Sequence, residues 1–168
     1  MNIFFRRILP IAALTLTVVA PIAPGVAHAA APEPGAYRLL NYRRVQCPAG
    51  RSDNLVSLAD CPDNSTDQVW LIEALPLAGY YRFRNRVRNK CLAFPSGEDG
   101  SDAKIVDCVD AFDDQWWKFD PTSAPNAFEL RNHRRNKCLV GRSTNGRVTE
   151  SACTLNFTEQ WWYFVPSS

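Results

Sequence analysis

Apolar and polar residues alternate with a period of two in several short segments of this 168-residue chain. Three segments open on two apolar residues separated by one position, which are Tyr37/Leu39, Tyr81/Phe83 and Phe128/Leu130. Later segments resume the pattern as Trp70/Ile72, Trp117/Phe119 and Trp162/Phe164. Because successive strand residues point to opposite faces, the alternation predicts short β-strands with one buried face. The intervening residues Arg38, Arg82 and Glu129 are predicted to lie on the solvated face, and no segment shows a helical period of useful length.

The same residue types recur three times in one register. An asparagine (Asn41, Asn85 and Asn132) stands before the first cysteine of each unit, and a second cysteine precedes a Gln-x-Trp triplet. The units cover about residues 37–76, 80–121 and 127–165. A period of about 45 residues indicates repeated supersecondary units. Since one such unit cannot bury its apolar face alone, the repeats predict a closed all-β domain with a shared core.

The Gln-x-Trp triplets are predicted to form the structural core of that domain. Their glutamines and tryptophans are Gln68, Trp70, Gln115, Trp117, Gln160 and Trp162. Each buried tryptophan removes an area on the order of 150–250 Å² from water. The neighbouring glutamine amide then needs hydrogen-bond partners, most simply backbone groups of its own repeat. Leu58 and Ile105 precede the second cysteine of the first two repeats, whereas the third repeat has Glu150 at this place.

The six cysteines fall two to a repeat. Of the possible pairings, the simplest joins cysteines within each repeat, as Cys47–Cys61, Cys91–Cys108 and Cys138–Cys153. A bridge that closes a loop of this length is expected to stabilise by about 3 kcal/mol. A metal site is the alternative, but the cysteines are widely spread, no CxxC occurs, and His133 is the sole histidine after residue 30. Disulfides are therefore predicted, with no metal and no cofactor.

The chain begins with the pattern of a secretory signal peptide. Two arginines precede an apolar run from Ile8 to Ala20, and an Ala-x-Ala cleavage pattern ends at Ala29. A retained membrane anchor is the alternative, but the run is short of the roughly 20 apolar residues that a span needs. Cleavage near Ala29 or Ala30 predicts a secreted protein without a membrane span. The predicted boundaries are 1–30 for the signal peptide, 31–36 for a short linker and 37–168 for the β domain.

The charge of the mature chain argues against nucleic acid as a partner. The formal net charge is +2, and the signal peptide holds two arginines and no acid, so the mature chain is near 2 − 2 = 0. A nucleic-acid-binding domain needs a clear basic excess. Arginines do cluster at the turns after Arg82 and after Arg131, and such clusters can hold sulfate, phosphate or carboxylate. The alternative is a solvated turn surface balanced by local acids, and both interpretations stay open.

These residues resemble the ricin-type β-trefoil family, also called R-type lectins. The resemblance rests on the threefold Gln-x-Trp, on the Asn-Lys-Cys-Leu runs at Asn89–Leu92 and Asn136–Leu139, and on the paired cysteines. It covers nearly the whole mature chain, from about Tyr37 to Phe164. It implies a β-trefoil of twelve strands, in which a short barrel is capped by hairpins with pseudo-threefold symmetry. It also implies one shallow sugar pocket in each repeat.

Most sugar-contacting positions of the family are replaced in this chain. The resemblance implies an aspartate two places after the first cysteine, where this sequence has Ala49, Ala93 and Val140. It implies an aromatic residue two places before the second cysteine, where this sequence has Ala59, Val106 and Ser151. It also implies a glutamine two places before that aromatic residue, where this sequence has Ser57, Lys104 and Thr149. The asparagine before each Gln-x-Trp is matched by Asp67, Asp114 and Glu159. Their carboxylates can accept hydrogen bonds from sugar hydroxyls, which makes these three acids ligand-binding candidates.

Trp116 and Trp161 lie beside the core tryptophans and, by alternation, face the other way. They are further ligand-binding candidates, because an exposed indole can stack on a glycan. The alternative, which the frequent burial of aromatic side chains favours, is that both pack under hairpin or loop segments. Catalysis has little support, because a catalytic triad would have to be built on His133 at a turn.

The sequence therefore predicts a secreted, monomeric, non-catalytic carbohydrate-binding module of the lectin type, with a glycan as its partner. The alternative is a degenerate β-trefoil that binds a secreted or cell-surface protein, as an accessory subunit of a toxin or enzyme or as an inhibitor.

Overall fold

The computed structural model describes residues 30–96, 98, 100–142 and 145–167. The predicted signal peptide falls on residues 1–29 and Ala30, so all but its last residue lies outside the described residues. The strands are β1 (Gly35–Asn41), β2 (Cys47–Gly50), β3 (Val56–Ala59), β4 (Val69–Ala74), β5 (Tyr81–Asn85), β6 (Cys91–Ala93), β7 (Lys104–Val106), β8 (Trp117–Pro121), β9 (Ala127–Asn132), β10 (Cys138–Gly141), β11 (Val148–Ser151) and β12 (Trp161–Pro166). Single 3₁₀ turns at Thr66–Gln68, Asp113–Gln115 and Thr158–Gln160 precede β4, β8 and β12. Within the described ranges, no helix is long and apolar enough to cross a membrane.

Six strands close into a barrel in the order β1, β4, β5, β8, β9 and β12, with β12 pairing back onto β1. The other six strands form the hairpins β2–β3, β6–β7 and β10–β11. Backbone bridges join the hairpins in pairs, as Leu55 with Lys104, Ser57 with Arg147 and Asp102 with Thr149. The β-trefoil of twelve strands, with one disulfide in each repeat, is therefore confirmed.

The three tryptophans of the Gln-x-Trp triplets lie fully buried at the centre of the core, together with apolar residues of the barrel and hairpins. Each indole Nε1 donates to a carbonyl oxygen of its own repeat's hairpin. The acceptors are Pro48 O at 2.9 Å, Leu92 O at 3.0 Å and Leu139 O at 3.0 Å. The tryptophans thus contribute buried area and also join barrel to hairpin.

The glutamine amides bind the chain next to the second cysteine. Each Nε2 donates to a backbone oxygen, which is Asp60 O for Gln68, Asp107 O for Gln115 and Ala152 O for Gln160. The oxygens of Gln115 and Gln160 accept from the N–H of Val109 and of Thr154. Pro62 occupies this place in the first repeat and has no N–H, and the Gln68 oxygen accordingly has no partner among the described residues.

The recurring asparagines join neighbouring repeats. Asn41 donates to Glu159 O at 2.8 Å, Asn85 to Asp67 O at 2.7 Å and Asn132 to Asp114 O at 2.7 Å. Each asparagine oxygen also accepts from the backbone N–H three residues later. These bonds hold the residue before each Gln-x-Trp in place from the following repeat around the barrel.

Two acids depart from the expected pattern of a solvated barrel exterior and an apolar hairpin interior. Glu129 was predicted on the solvated face, but it is 3% exposed, because it lies opposite Trp161 and Asp120 in the sheet. Arg38 and Arg82, at the matching strand positions, have largely covered side chains. Glu150 is fully buried and accepts from Arg135 at 3.2 Å and from Ser101 at 3.1 Å. The prediction that Glu129 lies on the solvated face of its strand was therefore wrong.

Candidate functional site

The first repeat has filled its inherited pocket positions with its own arginine. Arg51 Nε donates to Ser57 Oγ at 2.7 Å, and Arg51 Nη1 bonds Asp67 Oδ2 at 3.1 Å. Ser57 and Asp67 are two of the positions at which the family contacts sugar, and Ala49 beside them is fully buried. The Asp67 carboxylate therefore already has a charged partner within the protein.

The third repeat satisfies its pocket positions in a similar way. Arg142 matches Arg51, four places after the first cysteine, and its Nε donates to Thr149 Oγ1 at 3.1 Å. The Arg142 guanidinium also lies over the Phe157 ring, 5.8 Å from its centroid. Glu159 forms an ion pair with Arg44 of the first repeat. Both polar groups of this pocket are thus bonded within the protein.

The second repeat lacks the arginine, because Pro95 occupies its place. Asp114 is only 9% exposed, and its Oδ1 has no hydrogen-bond partner among the described residues. Burial raises the pKa of the Asp114 carboxyl above its ordinary value; Asp113 raises it further, and Arg134 opposes the shift. A covered carboxylate oxygen without a donor is unusual in a folded protein. Asp114 is therefore the member of the acid trio that is best prepared to accept a ligand's hydroxyl.

A concavity of about 380 Å³ lies on the other edge of the same hairpin. Lys104 and Val106 line it, and both stand at positions where the family contacts sugar. Its far wall comes from the first repeat, where Asn54 accepts from Lys90 Nζ at 2.9 Å. Asp114 contacts the opposite strand edge, since its carbonyl accepts from the N–H of Phe94 at 3.4 Å. The concavity and Asp114 therefore flank one hairpin from two sides.

The two outward-facing tryptophans occupy different surroundings. Trp161 is 6% exposed, and Tyr42 meets it edge-on with ring centroids 5.3 Å apart. Trp116 is half-buried and stacks on His133 at 5.6 Å. Trp161 therefore offers little open face to a ligand, and the exposed ring in front of it is that of Tyr42. The five candidates are spread over the three repeats, one in the first and two in each of the others.

Sequence reasoning did not single out Tyr42 or Tyr80 as site residues. Tyr80 packs edge-on against His133 with ring centroids 4.7 Å apart. Both tyrosines lie outside the Gln-x-Trp triplets, so the repeat pattern carried no signal for Tyr80. For Tyr42 a signal existed, because Tyr42, Arg86 and His133 share one register position directly after the recurring asparagine.

The arginine-rich turns are largely engaged with acids of the same protein. Arg82 and Arg84 both bond Glu73, and Arg131 bonds Asp120. The pKa of Glu73 is lowered, because hydrogen bonds and charge from Arg84 and Arg82 outweigh the opposing effect of burial. These pairs favour the interpretation of the turns as a balanced surface.

One group of potential metal ligands lies in the third repeat. The Glu129 carboxylate and the sulfurs of Cys138 and Cys153 lie within 4.8 Å of one another. The two sulfurs are bonded to each other as a disulfide. Since the thiolate is the form of cysteine that binds metal, this group is not a metal site.

Comparison with known proteins agrees with this architecture. A search of curated proteins found no similar sequence. Among solved structures, the designed threefold-symmetric protein ThreeFoil superposes with a TM-score of 0.69 at 19% identity, over 78% of this chain and 98% of its own. A Polyporus squamosus lectin, solved with a human-type influenza-binding epitope, gives a TM-score of 0.64 at 19% identity, over 80% of this chain and 50% of its own. An exo-β-1,3-galactanase from Clostridium thermocellum gives a TM-score of 0.67 at 21% identity, over 80% of this chain and 31% of its own.

At these identities the structural likeness shows a shared fold. The family comparison goes further, because the model of the ricin-type β-trefoil lectin domain matches residues 43–162, well over half of the chain. That range includes all six cysteines and all three Gln-x-Trp triplets. The chain therefore belongs to the ricin-type β-trefoil lectin domain family.

Proposed function

We propose that this protein is a secreted, non-catalytic carbohydrate-binding module whose principal ligand site lies at Asp114. The observation that carries the proposal is the covered Asp114 Oδ1 without a hydrogen-bond donor, at a family pocket position. In the other two repeats, Arg51 and Arg44 supply the donors that a sugar hydroxyl would otherwise supply. The second repeat is thus the one in which a ligand completes the hydrogen bonding.

The family supports carbohydrate as the ligand class, and one structural neighbour is a lectin solved with a glycan epitope. Three disulfides fit the oxidising conditions outside the cell, which supports secretion. The family is a lectin domain family, which supports a non-catalytic role. We also propose that the protein is non-catalytic and monomeric. Light scattering, which measures the molar mass in solution, tests the monomeric state.

The site proposal is tested by a glycan array followed by calorimetry on the sugars that bind. Asp114→Ala should weaken the affinity about tenfold or more, because it removes a charged hydrogen-bond acceptor. Asp114→Asn, which restores the family's residue, should retain binding. The matched control is Asp67→Ala at the same position of the first repeat, where Arg51 already bonds the carboxylate. Equal losses in Asp67→Ala and Asp114→Ala, or none in either, would contradict the placement of the site.

The pH dependence of binding gives a second test of the same residue. Because burial raises the pKa of Asp114, the carboxyl gains its proton at a higher pH than an ordinary aspartate. Protonation converts one acceptor oxygen into a donor. Affinity for a sugar that donates to Asp114 should therefore fall on acidification in the wild type and vary less in Asp114→Asn.

Binding of a partner protein is the second candidate function. Phe112 and Leu155, in the loops before two of the 3₁₀ turns, are 53% and 79% exposed. Exposed apolar side chains of this kind are typical of protein-interaction surfaces when they form a patch. A glycan array without binders, together with recovery of one secreted partner that Phe112→Ser releases, would favour this function over carbohydrate binding.

A further inference from the structure

We infer that the junction of the second and third repeats holds a second ligand site, which binds a sugar residue bearing a carboxylate or sulfate group. The inference rests on the proposed carbohydrate-binding function and adds a class of ligand to it. The site is a cavity of about 170 Å³ lined by Tyr80, Lys118, Arg131, Asn132, His133 and Asn136. It lies on the barrel between β8 and β9, away from the hairpin positions at which the family contacts sugar.

Aromatic rings form one wall of this cavity. Tyr80 meets His133 edge-on at 4.7 Å, and His133 in turn stacks on Trp116 at 5.6 Å with an angle of 25° between the ring planes. The backbone supports the same arrangement, because the His133 N–H donates to Trp116 O at 2.8 Å. The rings are thus held in position before any ligand binds, and they offer apolar area against which a sugar ring can pack.

The opposite wall carries positive charge. Lys118 Nζ lies 3.3 Å from Asp120 Oδ1, and Arg131 bonds the other oxygen of the same carboxylate. Arg131 Nη1 also donates to Asn136 Oδ1 at 3.3 Å, which orients the guanidinium along the wall. The nearby Glu129 attracts Arg131 but is covered and does not line the cavity. Both cations pair with the one carboxylate of Asp120, which does not itself line the cavity, so the lining carries an excess of positive charge for an anionic ligand.

The other two junctions lack this combination of rings and cations. At the positions of His133, Lys118 and Arg131, the junction of repeats one and two has Arg86, Leu71 and Arg84. The junction of repeats three and one has Tyr42, Tyr163 and Leu40. At these positions the junction of repeats one and two therefore has two cations and an aliphatic residue, whereas the junction of repeats three and one has two aromatic rings and no cation. The junction of repeats two and three is the one with both a ring wall and a cationic wall.

The test uses calorimetry with three related ligands: a glucuronate-containing disaccharide, a sulfated galactose and unmodified galactose. We expect an anionic ligand to bind more tightly than galactose, and comparison of the two anionic ligands tells carboxylate from sulfate. Lys118→Gln should weaken anionic binding about twofold to fivefold, the range for an exposed ion pair. Tyr80→Ala should weaken it by up to about tenfold. The control Lys90→Gln makes the same charge change at the other concavity and should have no effect.

Three results would overturn the inference without bearing on the proposed function. The first is equal binding of galactose and the anionic sugars. The second is an equal effect of Lys118→Gln and Lys90→Gln, which would indicate general attraction by surface charge. The third is neutral-glycan binding that depends on Asp114 with no anionic binding, which would leave the proposed function standing. Failure of every glycan to bind would contradict both this inference and the proposed carbohydrate-binding function. Thermal unfolding of Tyr80→Ala guards against misfolding, and the exposed Lys118 keeps the test valid if that variant is unstable.

Discussion

Replacement of Asn85 by alanine should destabilise the fold, because this side chain joins the first repeat to the second. Asn85 is fully buried, and its side chain forms two hydrogen bonds with described residues. It donates from Nδ2 to Asp67 O at 2.7 Å and accepts from the N–H of Arg88 at 3.0 Å. Alanine removes both partners at once and leaves a carbonyl and an amide without their bonds.

The expected loss follows from the number of groups that lose a partner. Each buried donor or acceptor left unsatisfied costs about 1–3 kcal/mol. The Asp67 and Arg88 groups are partly buried, so water can recover part of the lost bonding. We therefore expect a loss of about 2–4 kcal/mol in the free energy of unfolding. Since domains are typically stable by about 5–15 kcal/mol, the effect is large enough to measure.

The assay is urea unfolding with the disulfides intact, which compares the midpoint at an unchanged slope. Asn41→Ala and Asn132→Ala should give similar losses, because each breaks the matching two bonds at its junction and, in addition, only one long bond, to Trp161 O at 3.5 Å or to Trp116 O at 3.4 Å. A close contact provides a sharper check. A Cβ placed on Gly50 would lie 2.9 Å from Asn85 Cγ, so Gly50→Ala should be strained in the wild type.

The two substitutions at this contact should not be additive. In the Asn85→Ala background the alanine at position 50 has room, so the second substitution should cost less there than in the wild type. A loss below about 0.5 kcal/mol for Asn85→Ala would refute the assignment of a stabilising role, since surface substitutions commonly fall in that range. Additive effects of Gly50→Ala and Asn85→Ala would refute the contact.

Two further substitutions test the buried acids. Burial and the nearby Asp120 raise the pKa of Glu129 above its ordinary 4.5, against the effect of Arg131. The protonated Glu129 therefore contributes to stability below about pH 4.5, and this contribution is lost as the pH rises through the pKa of Glu129 in the folded protein. The free energy of unfolding of Glu129→Gln, relative to the wild type, should therefore increase between pH 4 and pH 7, and a constant difference across this range would contradict the shift. Glu150→Ala should cost about 3 kcal/mol, at the low end for a broken buried pair because Arg135 is partly exposed; Glu150→Leu, the residue type at Leu58, should recover part of the loss. Urea unfolding measures both, and an alanine variant as stable as the wild type would exclude a stabilising role for the pair.

The strands, their hairpins and the three disulfides follow closely from the sequence, because each depends on a local pattern repeated three times. Alternation places Trp70 and Ile72 on one face whatever the rest of the chain does. The missing partner of the Gln68 oxygen could also be predicted, since Pro62 has no N–H to donate. The burial of Glu129 could not, because it depends on Trp161, a residue far along the chain that covers the barrel exterior at this point.

The sequence by itself determined the repeat, the closed β architecture and the set of acids at the pocket positions. It also showed that the usual sugar contacts are replaced. Only the tertiary structure decided which of these acids has a carboxylate oxygen without a hydrogen-bond partner among the described residues. Arg44 reaches Glu159 across 115 residues of sequence, and Arg51 crosses its own hairpin to Asp67. Hydrogen bonds and ion pairs form between groups that are close in space, so folding pairs Asp67 and Glu159 with arginines and leaves Asp114 Oδ1 without a hydrogen-bond partner among the described residues.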